Sequence, residues 1–322
     1  MKTVAKALAW LMAALMAIVG VTAIRFYGFL PSRRPAARMA APRTLEAVER
    51  GRYLASSVAA CMTCHSEIDE SRPGDAIVPG RLGSGRDFGV LEGMPGRMRA
   101  PNLTSSAAGL GHWTDGEIVR AIREGISRDG RPLFPFMPFP VYGRHLGEED
   151  ALAIVAYLRT LPPIGGTPAP TEVAFPVSMF ARAVPAPVRK DPGPLPQEPL
   201  ARGRRLLELA SCGECHDTFD RRHQPLPGMH LAGGMAFQVP GRGTVYATNL
   251  TPDIGTGLGR QSEEALLRAI KAGVGHDGRI LYVMPWTGYS GLSDQDARAM
   301  VAALRALPPV GHAVPRRQLR EP

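Results

Sequence analysis

Apolar positions recur along this chain in two ways: one unbroken run near the start, then helical stripes that each come twice. From Ala7 to Ile24 there are 18 residues without a charge, preceded by Lys2 and Lys6 and followed by Arg25. That length matches the roughly 17 to 25 residues of a spanning helix better than the roughly 7 to 15 of a leader's apolar core. An uncleaved transmembrane helix within residues 1–30 is expected, with cleavage after Val21-Thr22-Ala23 as the alternative.

The helical stripes follow. Thr114 and Glu117 form a capping box, Ile118, Val119 and Ile122 form the apolar face behind it, and Gly125 ends the helix. Ser262, Leu266, Leu267 and Ile270 repeat that pattern up to Gly273. A second stripe, Ala151, Ile154, Val155, Leu158 and Leu161, returns as Ala297, Met300, Val301, Leu304 and Leu307, where Ser293 and Asp296 predict another capping box. Around these helices the same landmarks recur in the same order: Asn-Leu-Thr at 102–104 and 249–251, Asp-Gly turns at 129–130 and 277–278, then Met137-Pro138 and Met284-Pro285. Tyr142 and Tyr289 each stand five residues after the methionine.

An internal repeat of this kind sets the domain count. It predicts an anchor (1–30), a Pro/Arg-rich stalk (31–44), a first domain (45–161), a linker (162–196), a second domain (197–311) and a basic tail (312–322). Residues 162–199 hold 11 of the 31 prolines, so this segment cannot continue a helix. Its apolar middle, from Val173 to Phe180, is expected to lie across the surface of one domain. The stalk is expected to lift the globular part off the membrane, and the tail after Pro315 to be loose.

Each copy opens with a short helix leading into a pentapeptide: Cys61-Met62-Thr63-Cys64-His65 in one and Cys212-Gly213-Glu214-Cys215-His216 in the other. Cys-x-x-Cys-His is the attachment pattern of haem c. Two thiols one helical turn apart reach the two vinyl groups along a porphyrin edge, and the next residue brings an imidazole to the iron. Zinc sites and thiol redox motifs share Cys-x-x-Cys but not the trailing histidine. The second pair begins 151 residues after the first, too far for one zinc knuckle, and these four cysteines are the only ones in the chain. Two covalently bound haems are expected, with His65 and His216 as proximal iron ligands.

Low-spin electron-transfer haems carry a second axial ligand, and a thioether sulfur favours ferrous iron. Met137 and Met284 occupy matching positions, 76 and 72 residues after the first cysteine of their copies. Met94, Met98, Met229 and Met235 have no such counterparts and are read as gap-fillers or surface residues. The histidines at 112, 145, 223, 230, 276 and 312 are read as surface or loop residues.

With these residues in place, the chain resembles the membrane-associated cytochrome c subunits that accompany periplasmic alcohol, aldehyde and gluconate dehydrogenases. The likeness is strongest in Thr248-Asn249-Leu250-Thr251-Pro252-Asp253, in 268–279, in Met284-Pro285 and in the closing helix through Val310. Such subunits usually hold three haem motifs, whereas this chain has two and carries its apolar run at the front. The resemblance implies an all-α fold of two tandem cytochrome c-type domains, with first and last helices crossing closely. Gly51 and Gly203 are the residues expected at those crossings. It also supports Cys61, Cys64, Cys212 and Cys215 as attachment residues, His65 and His216 as proximal ligands, and Met137 and Met284 as distal ligands.

The function expected is single-electron transfer without substrate chemistry, and no catalytic residue is assigned. The donor would be a dehydrogenase or quinol-oxidising complex, and the acceptor a terminal oxidase or soluble cytochrome. Arg25, Arg33, Arg34, Arg38 and Arg43 follow the apolar run, against the positive-inside rule. Haem attachment to this motif is an export-side process in bacteria, as the resemblance implies, and long domains translocate largely regardless of charge. The expected place is therefore the bacterial inner membrane with both haem domains in the periplasm. The net charge of +9 would steer an acidic redox partner. Nucleic acid is not an expected partner, because there is no basic helix or aromatic platform. The main rival is a di-haem cytochrome c peroxidase-like enzyme, which needs an open iron position that matched methionines argue against. A thiosulfate-oxidising cytochrome would need a further cysteine, and a pure assembly subunit would be a membrane tether whose haems serve its complex.

Overall fold

In the computed structural model, which describes residues 2–31, 34–91, 93–220 and 224–320, the repeat of the sequence becomes a repeat of elements. Helix α1 (Lys2–Ala23) continues through a wider turn to Phe29 with no residue buried. The first half contains α2 (Leu45–Tyr53), α3 (Cys61–Cys64), strands β1 (Arg86–Val90) and β2 (Gly96–Ala100), α4 (Asp115–Glu124), α5 (Phe139–His145) and α6 (Glu148–Leu158). Strand β3 (Glu172–Val173) and the single-turn α7 (Val177–Phe180) follow. The second half contains α8 (Pro199–Leu209), α9 (Cys212–His216), β4 (Ala236–Val239), β5 (Gly243–Tyr246), α10 (Glu263–Ala272), α11 (Trp286–Tyr289) and α12 (Asp294–Arg305), with β6 (Gln318–Leu319) near the end.

The first and last helices of each half cross at the expected glycines. A Cβ on Gly51 would stand 1.8 Å from the Ala153 carbonyl oxygen, and one on Gly203 would stand 1.8 Å from that of Ala299. Backbones approach this closely only where no side chain intervenes. Beside each crossing an arginine of the first helix pairs with an aspartate of the last: Arg50 with Asp150, and Arg202 with Asp296. Ala151, Ile154, Val155 and Leu158 are buried, as are Ala297, Met300, Val301 and Leu304, and both stripes join one continuous apolar core.

The capping predictions hold for α4, where Thr114 and Glu117 make the reciprocal box, and Gly125 and Gly273 end their helices in left-handed conformation. At α12 the box is only half formed. Ser293 accepts from the Asp296 amide, but the Asp296 carboxylate is taken by Arg202 and by Tyr53 of the first half.

The fold is not purely all-α. Each half carries a three-stranded antiparallel sheet, ordered β1-β2-β3 and β4-β5-β6. In the first, Arg97 and Arg99 pair with Asp87 on one face while Met98 and Ala100 are buried on the other. That is strand alternation, but over five residues it is too short to stand out beside the helical stripes. The third strands come from segments read as linker and tail. Thus the tail is not loose where Gln318 and Leu319 pair with β5, and residues 321–322 lie outside the described ones.

Nor do residues 34–41 stand free as a spacer. The Ala41 amide donates to Asp115 at 2.8 Å, Arg34 pairs with Glu124, and the Ala37 carbonyl packs on Gly116. Both ends of α4 hold this segment, Asp115 at its start taking the Ala41 amide and Glu124 at its end taking Arg34. The linker lies along the first half too, through Thr171 and Glu172 on Arg99 and Asp191 on Arg123.

Candidate haem attachment sites

Each cysteine pair lies in one helical turn entered by a residue of unusual backbone. Ala60 (φ 48°) and Ser211 (φ 53°) are left-handed, immediately before Cys61 and Cys212. Non-glycine residues seldom adopt this conformation, so its occurrence at the same place in both halves marks a turn that the surroundings enforce. It redirects the chain between the end of the first helix and the pentapeptide.

The two imidazoles are held alike. His65 Nδ1 lies 2.8 Å from the Pro101 carbonyl oxygen, and His216 Nδ1 lies 2.8 Å from that of Thr248. A carbonyl only accepts, so Nδ1 carries the hydrogen and donates, and the lone pair is left on Nε2. Burial lowers the pKa of both rings and favours this neutral form.

Pro101 and Thr248 directly precede the repeated Asn-Leu-Thr triplets, whose role the sequence reading left unassigned. Asn102 is buried, and its amide donates to the carbonyls of Ile164 (2.8 Å) and Gly166 (2.7 Å) while its oxygen accepts from the Thr104 amide and hydroxyl. Asn249 donates to the Val310 carbonyl (2.8 Å) and accepts from both groups of Thr251. Each asparagine thus fastens the residue that holds the histidine to the chain beyond the last helix. The recurrence of the triplet was the available signal.

Met137 and Met284 lie on matching turns. The Phe139 amide donates to the Met137 carbonyl at 2.7 Å, and the Trp286 amide to that of Met284 at 2.8 Å. Pro138 (φ −78°, ψ 47°) and Pro285 (φ −79°, ψ 51°) sit between, close to inverse γ-turn geometry. The aromatic ring after each proline covers a helix-ending glycine, Phe139 on Gly125 and Trp286 on Gly273. Both methionines are half-buried against the core. Tyr142 then donates to the Ala59 carbonyl at 3.3 Å and Tyr289 to that of Ala210 at 2.8 Å, each two residues before the first cysteine of its own half.

The remaining candidates sit elsewhere. Met98 is fully buried in the first sheet, while Met94, Met229 and Met235 are half-buried. His112 and His276 are exposed, His145 is half-buried, His230 lies 2.9 Å from Asp217, and His312 lies 2.9 Å from the Ala232 carbonyl. His223 is outside the described residues.

Both pentapeptides border the seam between the halves. Helix α11 of the second half brings Gly288 against Thr63, while Val141 of α5 lines a pocket with Cys212, Gly213 and Glu214. Across the seam Gly74 donates to the Tyr282 carbonyl at 3.1 Å and accepts from Thr287. Burial pushes the thiols of Cys61 and Cys212 up to about 12 and those of Cys64 and Cys215 up to about 11. Cys215 is raised further by Glu214 and by Cys64 of the other half.

These residues suit covalent haem c. Among the described residues all four thiols are free, neither Nε2 atom has a protein partner, and the Ser211 hydroxyl beside Cys212 is buried without one. Among the described residues no three His, Cys, Asp or Glu side chains converge as a closed zinc site requires.

Comparison with known proteins agrees. The cytochrome c family model matches residues 48–162. The chain is 30% identical over 274 residues to the fructose dehydrogenase cytochrome subunit of Gluconobacter japonicus, covering 81% of this chain and 52% of that one. It is 29% identical over 281 residues to the cytochrome c subunit of alcohol dehydrogenase (quinone) from Gluconacetobacter polyoxogenes, covering 82% and 56%. To a diheme cytochrome c-type protein of Cereibacter sphaeroides it is 29% identical over 267 residues, covering 78% and 82%. The chain therefore spans about half the length of the two dehydrogenase subunits and most of the diheme protein. Its attachment motifs, its held histidines and the match over residues 48–162 identify a cytochrome c domain in the first half of the chain.

Proposed function

We propose that this chain is a membrane-attached, two-haem electron carrier built of tandem cytochrome c domains, residues 45–161 and 197–311, joined by the 162–196 linker. One haem c would be held by Cys61 and Cys64 with His65 and Met137 as axial ligands. The other would be held by Cys212 and Cys215 with His216 and Met284. The observation that carries this reading is the duplicated hydrogen bond from His65 to Pro101 and from His216 to Thr248, which leaves the same nitrogen free in both halves.

Haem c, when bound, supplies a one-electron iron couple. The chain's own part is to orient and insulate it. The Nδ1–carbonyl bonds fix the tautomer and ring orientation. The Met-Pro turns, tied back by Tyr142 and Tyr289, hold a thioether on a preset loop, and each pentapeptide borders the opposite half at the seam. Matched turns in both halves support electron transfer over a peroxidase role, since neither half is distinguished as the one with an open position.

The names of the relatives support a dehydrogenase as electron donor, with a terminal oxidase or soluble cytochrome as acceptor. The apolar helix and the export-side chemistry of haem attachment support a periplasmic location at the inner membrane. Quantifying haem per chain tests the assignment: two are expected, falling to one in Cys61→Ala/Cys64→Ala and in Cys212→Ala/Cys215→Ala. A single haem in the parent chain would remove one half from the proposal.

A further inference from the structure

Four apolar residues in the middle of the linker are not turned into either half. Phe175 is 74% exposed and Phe180 54%, and Val177 and Val184 are exposed beside them. This segment meets the end of the α1 extension. Arg182 donates through Nε to the Phe26 carbonyl (2.6 Å) and through Nη2 to that of Leu30 (2.8 Å). Its guanidinium lies 5.1 Å from the Tyr27 ring centre, and Phe26 and Phe180 meet edge to face at 5.6 Å. Carbonyls at a helix C-terminus have no partners within the helix, and a cation there also suits the helix dipole. Arg182 therefore caps a helix from a segment more than 150 residues away in sequence.

Tyr27 and Phe29 are exposed as well, so these rings continue the bare apolar surface of α1 onto the linker. The linker is itself fastened to the first half, by β3 on β2 and by Asp191 on Arg123. Aromatic rings and an arginine at the end of an apolar span are the residues that favour the boundary between lipid headgroups and acyl chains.

We infer that residues 175–184 form a membrane-surface clamp: Phe175, Val177 and Phe180 enter the lipid boundary where α1 leaves the bilayer, and Arg182 locks them to that helix. The inference rests on the reading of α1 as a membrane anchor. The occupant is a lipid surface because the patch continues the surface of α1, which the fold leaves wholly uncovered. The clamp fixes the first haem domain against the membrane instead of leaving it on a swinging tether.

The test uses the full holoprotein in nanodiscs of phosphatidylcholine and phosphatidylglycerol. With the four native cysteines bound to haem, Phe175→Cys supplies a single free thiol for a nitroxide label. Labels at Ala14→Cys in α1 and Ile254→Cys in the second half serve as references. Power saturation with oxygen and a water-soluble nickel chelate reads depth. The clamp predicts an oxygen-to-nickel accessibility ratio at Phe175→Cys severalfold above that at Ile254→Cys and below that at Ala14→Cys. Adding Arg182→Gln should bring the Phe175→Cys ratio down toward the Ile254→Cys value. A lipid signal at Ala14→Cys with an aqueous one at Phe175→Cys overturns the clamp, leaves the anchor standing and assigns the patch to a protein partner. An aqueous signal at Ala14→Cys overturns both.

Discussion

His65 Nδ1 lies 2.8 Å from the carbonyl oxygen of Pro101, and the next residue, buried Asn102, fixes that carbonyl in place. Asn102→Ala should loosen the histidine and strand the buried amide and hydroxyl of Thr104. Leaving buried groups unpaired costs about 1–3 kcal/mol. A weaker Nδ1–H bond makes the imidazole less basic and ferric iron less favoured, so the midpoint potential of that haem should rise. Redox titration beside denaturant unfolding checks this, and a stability loss without a potential shift would limit Asn102 to a structural role.

Gly51→Ala and Gly203→Ala each place a methyl group within 1.8 Å of a carbonyl oxygen at a helix crossing. Overpacking of this kind costs about 1–3 kcal/mol, more where backbone must move. Gly165→Ala meets nothing within 4 Å and is the neutral control. Thermal unfolding should show Tm lowered in the first two variants and unchanged in the third. Equal Tm for all three would mean that the crossings are looser than the structure shows.

Tyr289 binds the Ala210 carbonyl at 2.8 Å, while Tyr142 binds that of Ala59 at 3.3 Å. Tyr289→Phe should therefore cost more than Tyr142→Phe, with about 1 kcal/mol as the scale. Burial raises both phenols well above their ordinary pKa of 10.0, so neither ionises in the native protein near that pH. Alkaline ultraviolet titration of the two variants should match the parent around pH 10, and a lost titrating group would show that one ring is open to solvent.

Arg97, the Gly89 amide and Arg99 hold the Asp87 carboxyl down to about 2. A depressed carboxyl pKa stabilises the fold above its unfolded value of 3.8, and that contribution is lost as pH falls through about 2. Asp87 is more than a third exposed, so screening keeps the effect below about 1 kcal/mol. Urea unfolding should find Asp87→Asn less stable than the parent at pH 5, with the two converging toward pH 2. A gap that widens on acidification would contradict the sign.

What could be read from the sequence was local or repeated. Thr114 with Glu117, the glycines at 125 and 273, and the Met-Pro pairs each express a backbone rule within a few residues, while the glycines at 51 and 203, which meet distant helices, were legible through the family resemblance. What stayed hidden depends on distant partners. Asn102 meets Ile164, Arg182 meets Phe26, and Tyr53 reaches Asp296, none of which leaves a periodic trace. The sheets escaped for a related reason: their third strands are two residues long and lie in segments whose composition reads as linker or tail.

The measurement that bears most directly on the carrier proposal is the absorption and electron paramagnetic resonance spectrum of the holoprotein, oxidised and reduced, before and after peroxide. Two low-spin signals with the weak near-infrared sulfur-to-iron band, unaltered by peroxide, are expected. Met137→Ala and Met284→Ala should each remove one part of that band. A high-spin signal that disappears on adding peroxide would contradict the account, because it would mean that one methionine does not hold its iron and that the site turns over a substrate.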